Sequence, residues 1–252
     1  MRVILALLAV LGAGCSGPSE SKKAETPAAP AYFTVDAATA GAISGKVSFT
    51  GKKPVAKAID MASEEADCLR LHKSKPMAED VVVNADGTLA NVFVYVKAGL
   101  EGKQFAPPET KVRIDQAGCT FVPRVFGVRT GQALEVINSD PVSHNIHPMP
   151  KNNREWNQQQ APGAEPLERE FARAEVMVPV KCNIHSWMKS YIGVVEHPYF
   201  AVTGPEGTFD LRNLPPGEYT VEAWHEAYSA QEQKVKLAAS GSATADFSFP
   251  RK

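Results

Sequence analysis

The chain has 252 residues and a formal net charge of -1. That length allows one large or two small domains, and the near-neutral charge gives no reason to expect a nucleic acid partner. The sequence has no phosphate-binding glycine loop, no G-x-S-x-G nucleophile elbow and no C-x-x-C-H haem site, so we expect it not to be an enzyme.

Residues 1–15 have the features of a secretory signal. Arg2 precedes an apolar run, and small residues lead to Cys15 as in a bacterial lipoprotein box. The run is too short to cross a bilayer. We therefore expect a periplasmic or cell-surface lipoprotein anchored through lipid on Cys15, with ordinary cleavage and loss of Cys15 as the alternative. Residues 16–38, rich in Ser, Pro, Ala, Lys and Glu, are predicted to be a disordered tether.

Strand patterns dominate the rest of the chain. Residues 41–51 alternate apolar with small or polar side chains, and residues 91–96 carry valine at every second position. The sequence Asn-Ala-Asp-Gly at 84–87 predicts a turn before the second strand. Residues 64–72 are predicted to form one short helix. Further strands are predicted at 191–195 and 199–202. The fold class is therefore predicted to be all-β.

The most specific motif combines a histidine with a later Cys-x-x-His-x-x-Met string. Leu134 and Val136 predict a strand that leads through a turn-rich Asn-Ser-Asp-Pro sequence to His144. The string runs from Cys182 through a second histidine to Met188, and one loop between two strands can turn its three side chains toward one point. A thiolate, two imidazoles and a thioether are the ligands of a blue-copper site, since copper alternates between a harder Cu(II) and a softer Cu(I).

Two alternatives stay open on the residues alone. A C-x-x-H pair is weak evidence by itself, because buried Cys is common in protein cores, so Met188 and the upstream histidine carry the prediction. His147 lies three residues after His144 and is the alternative ligand. Zinc is the competing metal, but its structural sites use four Cys or His ligands and rarely a thioether.

In chain order these residues and several near them resemble the cupredoxins, and the spacing is most similar to the amicyanin and plastocyanin branch. The matching positions are Phe121-Val-Pro123, Gly131-Gln132, Asn138, His144-Asn145 and Cys182-x-x-His185-x-x-Met188. The resemblance implies four copper ligands, which are His144, Cys182, His185 and Met188. It favours His144 over His147 because Asn145 directly follows it, and it implies that Asn145 joins the two ligand loops by hydrogen bonds.

The resemblance also implies a function. We expect one type 1 copper ion that carries single electrons between periplasmic or cell-surface redox proteins. His185 is expected to be the ligand nearest the surface and the exit for electrons, beside an apolar docking patch of Ile184, Trp187, Pro148 and Met149. The alternatives are a copper storage or delivery module, for which the sulfur ligands also suit Cu(I), and a surface binding protein in which copper is secondary.

Four cysteines have to be assigned. With Cys15 used for lipid and Cys182 for metal, Cys68 and Cys119 remain, and an oxidising compartment favours a disulfide between them. On the chain-entropy model a loop of about 50 residues would add about 4 kcal/mol to the free energy of unfolding. The alternative is a second metal site formed by Cys68 and His72.

A second resemblance lies near the carboxyl end. The sequence from Thr203 to Val221 has a Gly turn, alternating Phe209 and Leu211 and a Pro-Pro-Gly turn, and is similar to the latter half of a carboxypeptidase regulatory-like domain, a small transthyretin-like β-sandwich. We therefore predict a cupredoxin Greek-key β-sandwich nested in or adjoining this second sandwich. The predicted boundaries are 39–110 and 198–252 for the two parts of the regulatory-like sandwich and 111–197 for the cupredoxin domain.

Overall fold

The computed structural model describes residues 31–63 and 65–250, and from Tyr32 onward the chain forms one compact unit. These residues form 17 strands and one five-residue helix, so the predicted all-β class is confirmed. The signal, Cys15 and most of the predicted tether lie outside the described residues. Within the described part, no helix has the length and apolar character needed to cross a membrane.

The helix is α1 (Ala66–Arg70), and the strands are β1 (Gly41–Thr50), β2 (Phe93–Ala98), β3 (Val112–Gln116), β4 (Phe121–Val122), β5 (Val125–Arg129), β6 (Leu134–Asn138), β7 (His144–Pro148), β8 (Gln158–Gln160), β9 (Leu167–Arg169), β10 (Glu175–Lys181), β11 (Lys189–Val195), β12 (Phe200–Val202), β13 (Thr208–Leu214), β14 (Gly217–His225), β15 (Tyr228–Leu237), β16 (Ser242–Thr244) and β17 (Phe247–Pro250).

Strands from both ends of the described chain share two sheets. One sheet has β1 between β13 and β16, with β17 also paired to β1, and the other has the order β12-β2-β14-β15. Alternation buries Ile43, Val47 and Phe49 of β1 in a core with Val94 of β2. Strands that precede the central segment therefore pair with strands that follow it, as a nested arrangement requires, while the boundary residues stay predictions.

The central strands form two further sheets, with orders β5-β11-β10-β7-β8 and β4-β3-β6-β9. Their inward residues, among them Ile114, Val136 and Ile192, form a second core. Met61 and Cys68, which the predicted boundary assigned to the other sandwich, are fully buried in this second core. The segment around α1 thus packs on the sandwich that carries the candidate site.

Aromatic residues of β2 and β12 pack against β5 and β11 in a third, smaller buried cluster. Gly127 of β5 and Gly193 of β11 are directly paired across the two strands. The rings of Phe93 and Phe200 stack with centroids 5.7 Å apart and lie against these glycines, where a Cβ atom would come within 2.2 to 2.3 Å of ring carbons. Only residues without side chains let the rings approach so closely.

Candidate metal centre

Three predicted ligands converge from one strand end and one tight loop. His144 is the first residue of β7, while Cys182 follows β10 and His185 lies in the loop before β11. Antiparallel pairing of β10 with β11 returns the chain on itself. The loop is closed by hydrogen bonds from Cys182 N to Met188 O (3.2 Å) and from Met188 N to His185 O (3.1 Å).

The donor atoms face one another in a space shielded from water. The Nδ1 atoms of His144 and His185 are 3.0 Å apart, and Cys182 Sγ lies 3.8 Å from His185 Nδ1. One donor atom from each of the three residues lies within 4.8 Å of the others. The three residues are 0%, 4% and 2% exposed, in chain order. Met188 is 1% exposed and lies with Cys182 in the second hydrophobic core.

Asp140 orients the ring of His144, a role that the sequence did not reveal. Its Oδ2 lies 2.7 Å from His144 Nε2. Because an ionised carboxylate only accepts hydrogen bonds, Nε2 carries the proton and the lone pair of Nδ1 is left for a metal. Burial alone would lower the pKa of His144, but the hydrogen bond and charge of Asp140, with a contribution from Cys182, raise it above its ordinary value.

The carboxylate of Asp140 is itself held in its ionised form. Burial would raise its pKa, but hydrogen bonds from His144 and from the backbone N–H groups of Cys119 and Gly118 outweigh burial and lower the pKa. In the sequence Asp140 belongs to an Asn-Ser-Asp-Pro turn, where Asp is common for local reasons. Its spacing of four residues before a candidate ligand was the one signal available.

Backbone N–H groups surround the sulfur of Cys182. The N–H groups of Ile184 and His185 each point to Sγ at 3.4 Å. Burial opposes ionisation of the thiol, but the neighbouring side chain of His144 and hydrogen bonds from the backbone N–H groups of His185, Asn145 and Ile184 outweigh it and lower the pKa. A thiolate is the form in which cysteine binds metals.

Asn145 connects β7 to the ligand loop. Its Oδ1 accepts a hydrogen bond from Asn183 N at 2.7 Å, and its Nδ2 donates to Asn157 Oδ1. His147 lies on the opposite side of β7 from His144, because successive strand residues alternate faces. Its ring nitrogens contact Glu155 (2.6 Å) and Asn183 (3.2 Å). The donor cluster therefore contains His144 and not His147.

The predicted disulfide is confirmed. Cys68 and Cys119 are bonded, with Cα atoms 5.5 Å apart, and Cys182 is a free, buried cysteine. This bond excludes the alternative metal site of Cys68 with His72, whose Nε2 instead lies 2.8 Å from Gly118 O. The cysteine count was sufficient to predict the pair, although it did not predict where the pair lies.

The expectation that His185 lies nearest the surface is wrong. The residue is 2% exposed because Cys68 Sγ packs 3.7 Å from its Nε2 and the ring of Trp187 lies 5.2 Å away. The expected docking patch is also incomplete, since Pro148 is buried. Ile184, at 45% exposure, is the strongly exposed member of that patch. The resemblance could not anticipate the contact with Cys68, because that residue comes from outside the resembling segment.

Comparison with known proteins gives two kinds of likeness. A family model for the carboxypeptidase regulatory-like domain matches residues 193–250, which confirms the second resemblance over that part of the chain. No curated protein matches the chain.

Several solved copper proteins resemble part of the structure. A copper-containing nitrite reductase from Thermus scotoductus SA-01 is 20% identical, with a TM-score of 0.33, over 38% of this chain and 24% of the reductase. A purple cupredoxin from Nitrosopumilus maritimus is 20% identical, with a TM-score of 0.28, over 33% of this chain and 98% of the cupredoxin. An amicyanin variant in the Cu(I) form is 17% identical, with a TM-score of 0.30, over 34% of this chain and 84% of the amicyanin. This chain thus spans about a quarter of the length of the reductase.

Proposed function

We propose that the chain binds one copper ion and relays single electrons between redox proteins outside the cytoplasm. The observation that carries the proposal is the convergence of two imidazoles and one thiol, all buried, with donor atoms within 4.8 Å of one another. His144, Cys182 and His185 would hold the ion, and Met188 would supply a further, weaker thioether ligand. This mixture of nitrogen and soft sulfur suits both oxidation states of copper.

The residues around the donors fit such an ion. The N–H groups aimed at Cys182 Sγ favour the thiolate, and Asp140 keeps Nδ1 of His144 free to coordinate. Bound copper would supply a reversible one-electron couple. The chain's part is to hold the donors in one arrangement, since a site fixed by two packed sheets reorganises little when the charge changes.

Location outside the cytoplasm is supported by the leader sequence and by the disulfide. Disulfides persist in oxidising compartments and are rare in reducing ones. Anchoring through Cys15 is proposed on the sequence pattern of residues 1–15. Mass spectrometry of the mature amino terminus tests it: a lipid-modified Cys15 supports anchoring, and an unmodified terminus elsewhere contradicts it.

Electron relay and copper delivery differ in whether the metal stays bound. Film voltammetry of the copper-loaded chain is expected to give a reversible one-electron wave that persists over many cycles. A competing Cu(I) chelator is expected to remove little copper on that timescale, since the donors are almost fully shielded from water. Rapid loss of Cu(I) to the chelator would instead support the delivery function.

A further inference from the structure

The Nε2 atoms of His144 and His185 both lie close to the Cys68–Cys119 disulfide, one through Asp140 and the other directly. On one side, Nε2 of His144 contacts Asp140 Oδ2 at 2.7 Å, and the backbone N–H of Cys119 donates to that same oxygen at 2.7 Å. On the other side, Cys68 Sγ lies 3.7 Å from Nε2 of His185. One covalent cross-link therefore contacts the carboxylate that orients His144 and the ring of His185 itself.

Trp187 makes a second connection between His185 and the disulfide. Its ring centroid lies 5.2 Å from that of His185, and its Nε1 donates a hydrogen bond to Cys119 O at 2.8 Å. The indole is thus held by the backbone of one half-cystine while its face covers the histidine. Together with Cys68 it leaves His185 only 2% exposed.

Among the described residues, the segment that carries Cys68 has few other contacts with the rest of the chain. We call residues 65–72 the cap segment. Its helix α1 has five residues, far below the roughly 12–15 residues at which an isolated helix becomes marginally stable. Leu69 and Leu71 are 37% and 38% exposed, and Cys68 is the buried residue of the helix. The contact between His72 Nε2 and Gly118 O is one of the other contacts that hold the cap segment in place.

We propose that the Cys68–Cys119 disulfide is a positioning group of the copper site, which fixes both histidine rings and keeps the cap segment over His185, so that the thiol state of this pair controls how tightly copper is held. The proposal rests on the proposed copper function. A dithiol reductant breaks the bond by transferring two electrons and two protons: the Cys68–Cys119 S–S bond is lost, two cysteine thiols form, and the reductant becomes a disulfide. The cap segment is then free to leave the ring.

The test compares the intact chain with one in which Cys68→Ala and Cys119→Ala are combined. Both are loaded with Cu(I), and transfer of copper to a chelator is followed. We expect release at least tenfold faster without the disulfide, because loss of outer partners typically costs about 10–100-fold in metal affinity. We also expect a shifted optical and EPR spectrum of the Cu(II) form, which a loss of stability alone would not cause.

A matched control variant lowers the free energy of unfolding through a substitution outside the candidate metal site. Val221→Ala opens a cavity in the other core, where Val221 is fully buried, and is expected to leave copper release and spectrum unchanged. If the double variant does not fold, the metal-free natural chain is reduced with a small dithiol, desalted without oxygen and loaded with Cu(I).

The outcomes separate this proposal from the proposed function. Unchanged release and spectrum, in the double variant or in the reduced natural chain, would overturn the role of the disulfide while leaving the copper site intact. An intact chain without a thiolate-to-copper absorption band would overturn both. If Val221→Ala releases copper faster to the same extent, the proposed role of the disulfide is also overturned. The faster release would then result from a lower free energy of unfolding and not from loss of the disulfide.

Discussion

Asp140 determines which nitrogen of His144 faces the thiol of Cys182. The carboxylate accepts from Nε2 at 2.7 Å and from two backbone N–H groups. A negative charge next to a ligand imidazole increases its basicity and favours the more highly charged Cu(II) state. At the scale of single residues the copper potential is therefore expected to depend on a side chain that does not contact the metal.

Replacing Asp140→Asn is expected to raise the reduction potential. The amide keeps the size of the side chain but loses the charge that stabilises Cu(II). A tenfold loss of Cu(II) affinity relative to Cu(I) corresponds to about 59 mV for a one-electron couple. Asp115→Asn is the control, because Asp115 binds the neighbouring Ser139. Equal potentials in voltammetry of all three chains would contradict this role of Asp140.

At the scale of elements, the contact between the two sandwiches depends on paired glycines in β5 and β11. A Cβ atom at Gly193 would lie 2.3 Å from Phe93 Cζ, and Phe93 is fully buried. The ring has no space into which it can move without displacing its neighbours. The glycine pair therefore sets how closely the sheets approach.

Gly193→Ala is expected to lower the free energy of unfolding by about 1–3 kcal/mol, the usual cost of overpacking a core. Gly204→Ala is the matched control, because its Cβ atom would meet nothing within 4 Å. Urea unfolding measures both. A Gly193→Ala chain as stable as the control would show that the sheets adjust to the extra methyl group.

At the scale of the whole molecule, buried neutral histidines make stability depend on pH. His225 is 1% exposed, and burial, followed by the positive charge of Arg124, lowers its pKa to about 4. Its Nε2 has no hydrogen-bond partner among the described residues. Between the unfolded pKa of about 6.5 and the folded value, only the unfolded chain takes up the proton, so the free energy of unfolding falls as pH falls.

Between pH 7 and pH 5, protonation of His225 in the unfolded chain is expected to lower the free energy of unfolding by about 2 kcal/mol. His225→Phe keeps an aromatic ring beside Tyr228 and Phe249 and removes the titration. The difference between the two chains, measured by urea unfolding at both pH values, isolates His225 from other groups, including His144, whose pKa moves in the opposite direction. Parallel pH profiles would contradict the assignment.

The all-β class and the disulfide could be predicted from the sequence because strand alternation is a local pattern and the cysteines could be counted. The strand predicted at 41–51 is confirmed as β1, and the strand predicted at 91–96 is found two residues later, as β2. The role of Asp140 could not be predicted because Asp is common in such turns for local reasons, and the N–H groups that hold its carboxylate lie 21 and 22 residues away. The burial of His185 could not be predicted because one of the groups that cover it is distant in sequence. Cys68 covers a ring 117 residues away, and no local pattern records such a contact.

The most direct test of the copper site is the optical and EPR spectrum of the copper-loaded chain beside that of Cys182→Ser. The natural chain is expected to show an intense visible band from thiolate-to-copper charge transfer, together with the EPR signal of a Cu(II)–thiolate site. The serine variant, which keeps His144 and His185, is expected to lose the band. A colourless Cu(II) complex of the natural chain, or a band that persists in Cys182→Ser, would contradict the central claim.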